Sequence, residues 1–167
     1  MAERPEDLFS KMIISYQGII KSICLLYYHD SEDRKDAQQD VLVQLWKAFP
    51  SFRNESKIST WIYKVTLNTI LARIRQERKE ILHAPRVEMQ ETHLQVHPFS
   101  DDHIQLLRRS IETLGTEEKA VVILYLEGYS NKEIADLLNF TETNISTKMY
   151  RIREKLRQMF KAVQHEY

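Results

Sequence analysis

Apolar residues in the first half of the chain recur every three or four positions, the spacing of helices that bury one face. The pattern predicts a helix over 8–27, a second over 32–49 that Pro50 stops, and a third that ends near Glu80. Three such helices can cover one another's apolar faces, so the sequence predicts a compact helical domain over 1–82. In the first helix the apolar stripe comprises Phe9, Met12, Ile13, Tyr16, Ile19, Ile20, Ile23, Cys24 and Tyr27.

The helical spacing is absent over 83–100, where prolines and polar residues predict a linker. His93 and His97 lie four residues apart there, and two ligands at that spacing could share a metal ion on a helix. No carboxylate or cysteine lies at a matching distance, so we expect solvated histidines and no metal site. The helical pattern then returns and predicts a second domain over 101–167.

The composition favours helices, because 3 glycines and 4 prolines in 167 residues are too few for the many turns of a strand-rich fold. We therefore expect an all-α protein of two small helical domains joined by a flexible linker. The single cysteine, Cys24, lies in an apolar helical stretch and is expected to be a small core residue. Early acidic residues and the lack of a long uncharged apolar run lead us to expect a cytoplasmic protein without membrane insertion.

The charges balance in total, with 24 basic and 24 acidic side chains, but they are separated along the chain. Segment 53–79 carries seven basic and two acidic residues, and segment 148–161 carries six and one, so each has a net charge of +5. A single charged run is usually a solvated helix face, but two such runs predict two nucleic-acid contacts. The compensating acidic group predicts a basic protein partner and comprises Asp30, Glu32, Asp33, Asp36 and Asp40.

Segment 130–145 has the pattern of a helix-turn-helix. Ser130 and Glu133 have the spacing of a capping box, which starts a helix. Asn139 falls at the tight turn, where asparagine tolerates left-handed backbone, and Thr141 can cap the next helix. Two amphipathic helices joined by a short turn also occur in bundles that bind no DNA. The agreement of turn and capping positions favours the DNA-binding form.

The second helix of this motif, over about 142–160, has a buried stripe that comprises Ile145, Met149, Ile152 and Leu156. Its other face is predicted to present hydroxyl, amide and basic groups, which suit base edges and phosphates in the major groove. Together with Lys132 of the first helix, these candidate DNA contacts are Asn144, Ser146, Thr147, Lys148, Tyr150, Arg151 and Lys155.

Three segments together resemble the extracytoplasmic-function sigma factors of the sigma-70 family. Segment 36–49 (DAQQDVLVQLWKAF) is similar to the region-two helix that docks on the β′ coiled coil of RNA polymerase. Segment 52–68 (FRNESKISTWIYKVTLN) resembles the part of region two that melts the promoter and reads the minus-ten element. The helix-turn-helix, with YRIREKL at 150–156, resembles region four, which reads the minus-thirty-five element. The resemblance covers nearly the whole chain apart from the linker.

The resemblance implies a specificity subunit without catalytic residues, cofactor or metal, whose partners are core RNA polymerase (β′ and β subunits), promoter DNA and an anti-sigma factor. The helix-turn-helix residues given above would contact the minus-thirty-five element. The expected polymerase contacts are Asp36, Gln39, Asp40, Val43 and Gln44. The expected contacts to the minus-ten element and the melted strand are Arg53, Asn54, Lys57, Thr60, Lys64, Asn68 and Arg75.

Some positions depart from the family pattern. Asn144 and Ser146 stand where the family often has a glycine and commonly a basic residue, and Leu124 stands where some relatives place a DNA-contacting arginine. These departures leave the promoter sequence open. Trp61 could stack on an extruded base, but we expect it to pack in the core, since large aromatic residues dominate helical cores.

Two other classes of protein were weighed against a sigma factor. A regulator of the response-regulator output type carries a similar helix-turn-helix and binds duplex DNA as a dimer, but it would leave segments 36–49 and 52–68 unexplained. A nucleic-acid enzyme would need a metal-binding cluster or a glycine-rich phosphate loop. The three glycines, Gly18, Gly115 and Gly128, form no such loop.

Overall fold

The computed structural model describes residues 4–53, 55–83, 107 and 109–164, and every regular element within these ranges is helical. Residues 109–112 form part of a helix. The prediction of an all-α protein is confirmed for the part of the chain that the structure describes. The remaining elements are α1 (Pro5–Tyr27), α2 (Ser31–Ala48), a 3₁₀ turn (Phe49–Ser51), α3 (Ile58–His83), α4 (Thr116–Leu126), α5 (Asn131–Leu138) and α6 (Glu142–Gln164).

The described helices fall into two compact units, one made by α1–α3 and the other containing α4–α6. In the first unit each helix packs on both of the others, and in the second α4 and α5 both pack on α6. Apart from the end of α3, the predicted linker over 83–100 lies outside the described residues, as do His93 and His97. The exact domain boundaries therefore stay a prediction of the sequence.

The core of the first unit is built from the apolar stripes that the sequence predicts. Cys24 is fully buried in it, and burial raises the pKa of its thiol to about 11, so the thiol is protonated at neutral pH. This confirms the expectation that Cys24 is a core residue. The other fully buried side chains of α1–α3 include Ile23, Val41, Leu45, Ile62, Leu67, Ile70 and Leu71.

Helix α1 is long and apolar enough, by length and composition alone, to cross a membrane. The sequence had led us to expect no segment of this kind. Core helices of soluble proteins meet the same measure. One side of α1 packs on α2 and α3, and its buried residues are Met12, Ile20, Ile23 and Cys24. The helix is therefore an integral part of the first unit.

The ends of α2 follow from local chemistry. The carboxylate of Asp30 accepts the backbone N–H groups of Glu32 at 2.8 Å and Asp33 at 3.1 Å, so Asp30 caps the helix. These hydrogen bonds lower the pKa of Asp30 below its usual value. At the other end Pro50 sits within the 3₁₀ turn that follows α2, since proline has no N–H for a continuing α-helix.

The second unit has its own core, which lies between α6 and the two shorter helices. Leu124 is completely buried in it, so the side chain at this position packs inside the unit and cannot touch DNA. The other fully buried apolar residues of this unit are Ala120, Val121, Ile134, Ile145 and Ile152.

Candidate nucleic-acid and partner interfaces

The five predicted polymerase contacts all lie on the outer side of α2, which we call the docking face. The buried residues of this helix, Ala37, Val41 and Leu45, face the core of the unit. Val43 is 49% exposed, so an apolar side chain stands among the polar ones. Trp46 lies beside this face and is 42% exposed, and its ring centroid is 5.0 Å from that of Phe9 in an edge-to-face arrangement. All members of the face are exposed: Asp36, Gln39, Asp40, Val43 and Gln44.

Asp40 differs from the other members of the docking face because it already has a partner. Its Oδ2 accepts a hydrogen bond from Nη1 of Arg73 on α3 at 2.6 Å. Arg73 belongs to the first basic run of the sequence, which led us to expect a nucleic-acid contact there. The structure instead turns its guanidinium toward α2, so Arg73 links two helices of the first unit.

Lys64, Asn68 and Arg75 lie on one side of α3, because spacings of four and seven residues return to the same side of a helix. We call this side the α3 contact face. Lys64 and Arg75 are exposed, and Asn68 is half-buried with its Nδ2 donating to the carbonyl of Lys64 at 2.8 Å. Two cations flank an amide here, which suits contact with phosphates and with one base.

The loop before α3 brings further predicted DNA contacts to the start of this helix. Arg53 and Lys57 are exposed, Thr60 is half-buried, and Asn54 lies outside the described residues. Trp61 is half-buried, and its ring packs on Phe52 with the centroids 4.9 Å apart. Trp61 therefore holds the loop to the helix, with one part of the ring left accessible.

The helix-turn-helix has the local geometry that its sequence predicts. Glu133 Oε2 accepts the backbone N–H of Ser130 at 2.8 Å, and Ser130 Oγ accepts the N–H of Glu133 at 3.3 Å, which completes the capping box. Asn139 has φ 58° and ψ 44°, the left-handed conformation. Thr141 Oγ1 accepts the N–H of Asn144 at 3.2 Å and caps α6.

The side of α6 opposite its buried residues carries Thr147, Tyr150 and Arg151, and we call it the reading face. Tyr150 is 67% exposed, and Arg151 is exposed with no ion-pair partner among the described residues. The Thr147 hydroxyl donates to the carbonyl of Thr143 at 3.0 Å and keeps its acceptor lone pairs. The face therefore offers one cation, one phenol and hydroxyl acceptors.

Asn144 and Ser146 lie exposed at the start of α6, and Lys132 is exposed on α5. Ser146 Oγ accepts a hydrogen bond from Asn131 Nδ2 at 3.2 Å, which ties the first turn of α5 to the first turn of α6. The position where the family commonly has a basic residue is therefore occupied by a neutral amide–hydroxyl pair.

Two of the predicted DNA contacts on α6 are engaged inside the protein. Lys148 Nζ lies 2.7 Å from Glu117 Oε2 and 5.2 Å from the ring centroid of Phe140. Lys155 Nζ lies 2.7 Å from Glu118 Oε2 and 2.8 Å from Glu118 Oε1. Both lysines are thus paired with carboxylates at the start of α4.

The carboxylate of Glu118 accepts hydrogen bonds from Lys155 and from the backbone of Gly115. Partial burial acts to raise its pKa, but the hydrogen bonds from Lys155 and from the backbone N–H of Gly115 at 2.9 Å outweigh that effect and lower it. Glu117 and Glu118 were not predicted from the sequence as partners of Lys148 and Lys155. The three-residue spacing from Gly115 to Glu118, typical of a capping box, is a signal for the helix start but not for the lysine partners.

Two family models match this chain. Sigma-70 region 2 matches residues 12–80, and sigma-70 region 4 matches residues 104–156. The first match spans α3 and most of α1, with the docking face between them, and the second includes α4, α5 and most of α6. Within the described residues no group of three or more His, Cys, Asp or Glu side chains could hold a metal ion.

Similarity to named relatives extends over most of the chain. The ECF RNA polymerase sigma-E factor of Escherichia coli is 25% identical over 164 residues, covering 90% of this chain and 85% of its own. RNA polymerase sigma-H factor of Pseudomonas aeruginosa is 22% identical over 161 residues, covering 89% and 83%.

Solved structures show the same fold. The sigma factor RpoE of Bartonella quintana, crystallised with the anti-sigma factor NepR, has a TM-score of 0.74 at 17% identity and covers 92% of this chain and 96% of its own. CnrH, solved in complex with the cytosolic domain of CnrY, has a TM-score of 0.61 at 19% identity, with coverages of 94% and 90%.

Proposed function

The chain belongs to the sigma-70 family of RNA polymerase sigma factors, and we propose that its three candidate faces share the work of promoter-specific transcription initiation. The docking face binds core polymerase, chiefly a basic surface of β′, with further contacts to β. The α3 contact face and the loop before it bind the minus-ten element. The reading face of α6 binds the minus-thirty-five element. The protein acts where the polymerase acts, in the cytoplasm.

The docking step is supported by the character of the exposed side of α2. Asp36 and Asp40 supply negative charge, Gln39 and Gln44 supply amides, and Val43 supplies an apolar contact. A basic helical partner would gain charge-assisted hydrogen bonds at the rim and exclude water around the apolar residue. This face is the observation that carries the proposal, because a helix-turn-helix alone would serve a duplex-binding regulator equally well.

The melting step is supported by the order of groups from the loop to α3. Lys57, Lys64 and Arg75 form a line of cations that can follow the phosphates of a single strand. Asn68 stands beside Lys64 and can read the edge of a base that has left the stack. Capture of such a base offsets part of the unstacking free energy, so strand separation needs no covalent chemistry and no catalytic residue.

We also propose that an anti-sigma factor covers one or more of these faces. Both structural relatives named above were solved as complexes, and one of the partners is described as an anti-sigma factor. The docking face combines exposed carboxylates with Val43 and Trp46, which suits a partner that is both basic and apolar.

In-vitro transcription tests the proposal. Purified protein and core polymerase are incubated with genomic promoter fragments, and we expect discrete start sites that require the protein. The Asp36→Lys variant should lose them, because it places a cation on the docking face. Glu127→Lys, which makes the same change at an exposed residue at the end of α4, is the matched control and should keep them. Tight duplex binding by the isolated protein, without starts and without core binding, would favour the simple regulator.

A further inference from the structure

Asp40 of the docking face is held by a cluster of side chains from all three helices of the first unit. Arg73 Nη1 donates to Asp40 Oδ2 at 2.6 Å, and Arg73 Nε donates to Glu77 Oε1 at 2.8 Å. The guanidinium carbon lies 5.4 Å from the ring centroid of Tyr28, which is buried at the end of α1. The Arg73 side chain is only 22% exposed, whereas that of Asp40 is 57% exposed.

Arg73 is therefore placed to orient the more exposed carboxylate of Asp40. Its planar group is held at two edges by carboxylates and on one face by an aromatic ring, and this arrangement leaves few alternative rotamers. One Asp40 oxygen is engaged by Arg73. The other oxygen, Oδ1, accepts no hydrogen bond from a described residue. A carboxylate can serve two donors at once, because each oxygen has two lone pairs.

The cluster is negative overall, so Arg73 does not neutralise this part of the docking face. Asp40, Arg73 and Glu77 together carry a net charge of −1. Burial, followed by the nearby Glu77, raises the pKa of Tyr28 to about 12, so the phenol is neutral at physiological pH. An approaching cation therefore meets a site that is negative overall, although a cation already lies behind Asp40.

We propose that Arg73 is a positioning residue for polymerase binding: it orients Asp40 so that Oδ1 is presented to a basic residue of the core enzyme. The proposal rests on the docking role of α2 given above. Without Arg73, Asp40 would sample several rotamers, and core binding would have to fix one of them. Arg73 itself makes no contact with the partner or with DNA in this arrangement.

A double-mutant cycle on core polymerase binding, measured without DNA, tests the role of Arg73. The proteins are wild type, Asp40→Asn, Arg73→Met and the double variant, each fluorescently labelled and titrated with core enzyme. We expect Arg73→Met to raise the Kd about fivefold in the wild-type background and less than about twofold in the Asp40→Asn background. The matched control is Lys79→Met, which removes an exposed cation from the same helix and should leave the Kd unchanged.

The stability of the fold is measured in parallel, because the ion pair also joins α2 to α3. A purely structural role predicts coupling between the two positions in the free energy of unfolding, but an unchanged Kd for variants that are folded at the assay temperature. That outcome would overturn the proposal. An equal rise in Kd in both backgrounds would also overturn it, since Arg73 would then act independently of Asp40.

A further variant covers the case in which Arg73→Met does not fold. Arg73→Lys keeps the cation but can hold only one carboxylate well, so it should raise the Kd about twofold or more, again only when Asp40 is present. An unchanged Kd for this folded variant would overturn the proposal. If Asp40→Asn alone binds core enzyme as tightly as wild type, the docking role of Asp40 fails and the positioning role fails with it. If Asp40→Asn weakens binding and neither Arg73 variant does, only the positioning role fails.

Discussion

At the scale of single residues, the three basic side chains of α6 that were predicted to contact DNA fall into two classes that the sequence does not separate. Lys148 and Lys155 form ion pairs with carboxylates on α4, whereas Arg151 has no described ion-pair partner. The partners are 31 and 37 residues apart in the chain, so they follow from tertiary packing alone. This is why helical periodicity placed all three on one DNA-binding face. Of the three, Arg151 is the one without an ion-pair partner among the described residues, so it is the one that we expect to contact DNA.

Replacing Arg151 should weaken promoter binding by the holoenzyme. We expect Arg151→Ala to lower the affinity for the upstream element about tenfold and, if it contacts a phosphate, to reduce the slope of log K against log salt by about one. Lys155→Met should leave that slope unchanged and instead lower the free energy of unfolding by about 0.5 to 1 kcal/mol. Filter binding at several salt concentrations separates the two. Equal slopes for wild type and Arg151→Ala, with unchanged base preference, would contradict the assignment.

The pair between Glu118 and Lys155 should make the second unit sensitive to acid. The folded-state pKa of Glu118 is lowered below the ordinary glutamate value of 4.5, so its stabilising effect is present above pH 4.5 and is lost as the pH falls through the folded-state pKa. We expect Glu118→Gln to lower the free energy of unfolding by about 1 kcal/mol at neutral pH. The difference from wild type should shrink as the pH falls through the lowered folded-state pKa of Glu118. Urea unfolding of both proteins at several pH values measures this difference in the free energy of unfolding. A difference that does not change with pH would exclude a role for the ionised Glu118 carboxylate.

At the scale of elements, the helix-turn-helix was predictable because its signals are local. Ser130, Glu133, Asn139 and Thr141 act within three or four residues of their own position, so sequence spacing alone identifies them. Features that depend on packing were predicted less closely. Helix α1 begins three residues before Leu8, where the sequence pattern had placed its start. Trp61 was expected in the core, but it is half-buried and packs on Phe52.

The turn between α5 and α6 gives a direct test of that local reasoning. Asn139 is exposed and left-handed, a conformation that costs an ordinary L-residue about 1 to 2 kcal/mol. We expect Asn139→Ala to lower the free energy of unfolding by about 1 kcal/mol and Asn139→Gly to change it by less than half as much. Equilibrium unfolding of both variants decides the matter. Equal stability of the alanine and glycine variants would show that the turn does not require this conformation.

At the scale of the whole molecule, the fold class and the presence of two units follow from the sequence, since an unpatterned stretch interrupts two patterned ones. The three candidate faces were also predicted in outline. What the sequence could not supply is the set of contacts between helices, such as Asp40 with Arg73. Those contacts decide which charged groups are available to a partner.

Two separate units should give two thermal transitions. We expect scanning calorimetry of the full chain to show two transitions, and Asn139→Ala to lower only one of them, because it lies in the second unit. Arg73→Lys should lower only the other. A single transition shifted by both variants would mean that the units unfold together.

The internal pairing of Lys148 and Lys155 has a consequence for how the free protein distributes itself in a cell. A chromosome offers on the order of 10⁶ to 10⁹ non-specific sites. Each cation with which a protein contacts a phosphate increases its affinity for these sites. A recognition helix in which Lys148 and Lys155 are already paired with Glu117 and Glu118 is expected to contribute less to such trapping than its total charge suggests. We therefore expect newly made protein to stay in the pool from which the core enzyme can capture it.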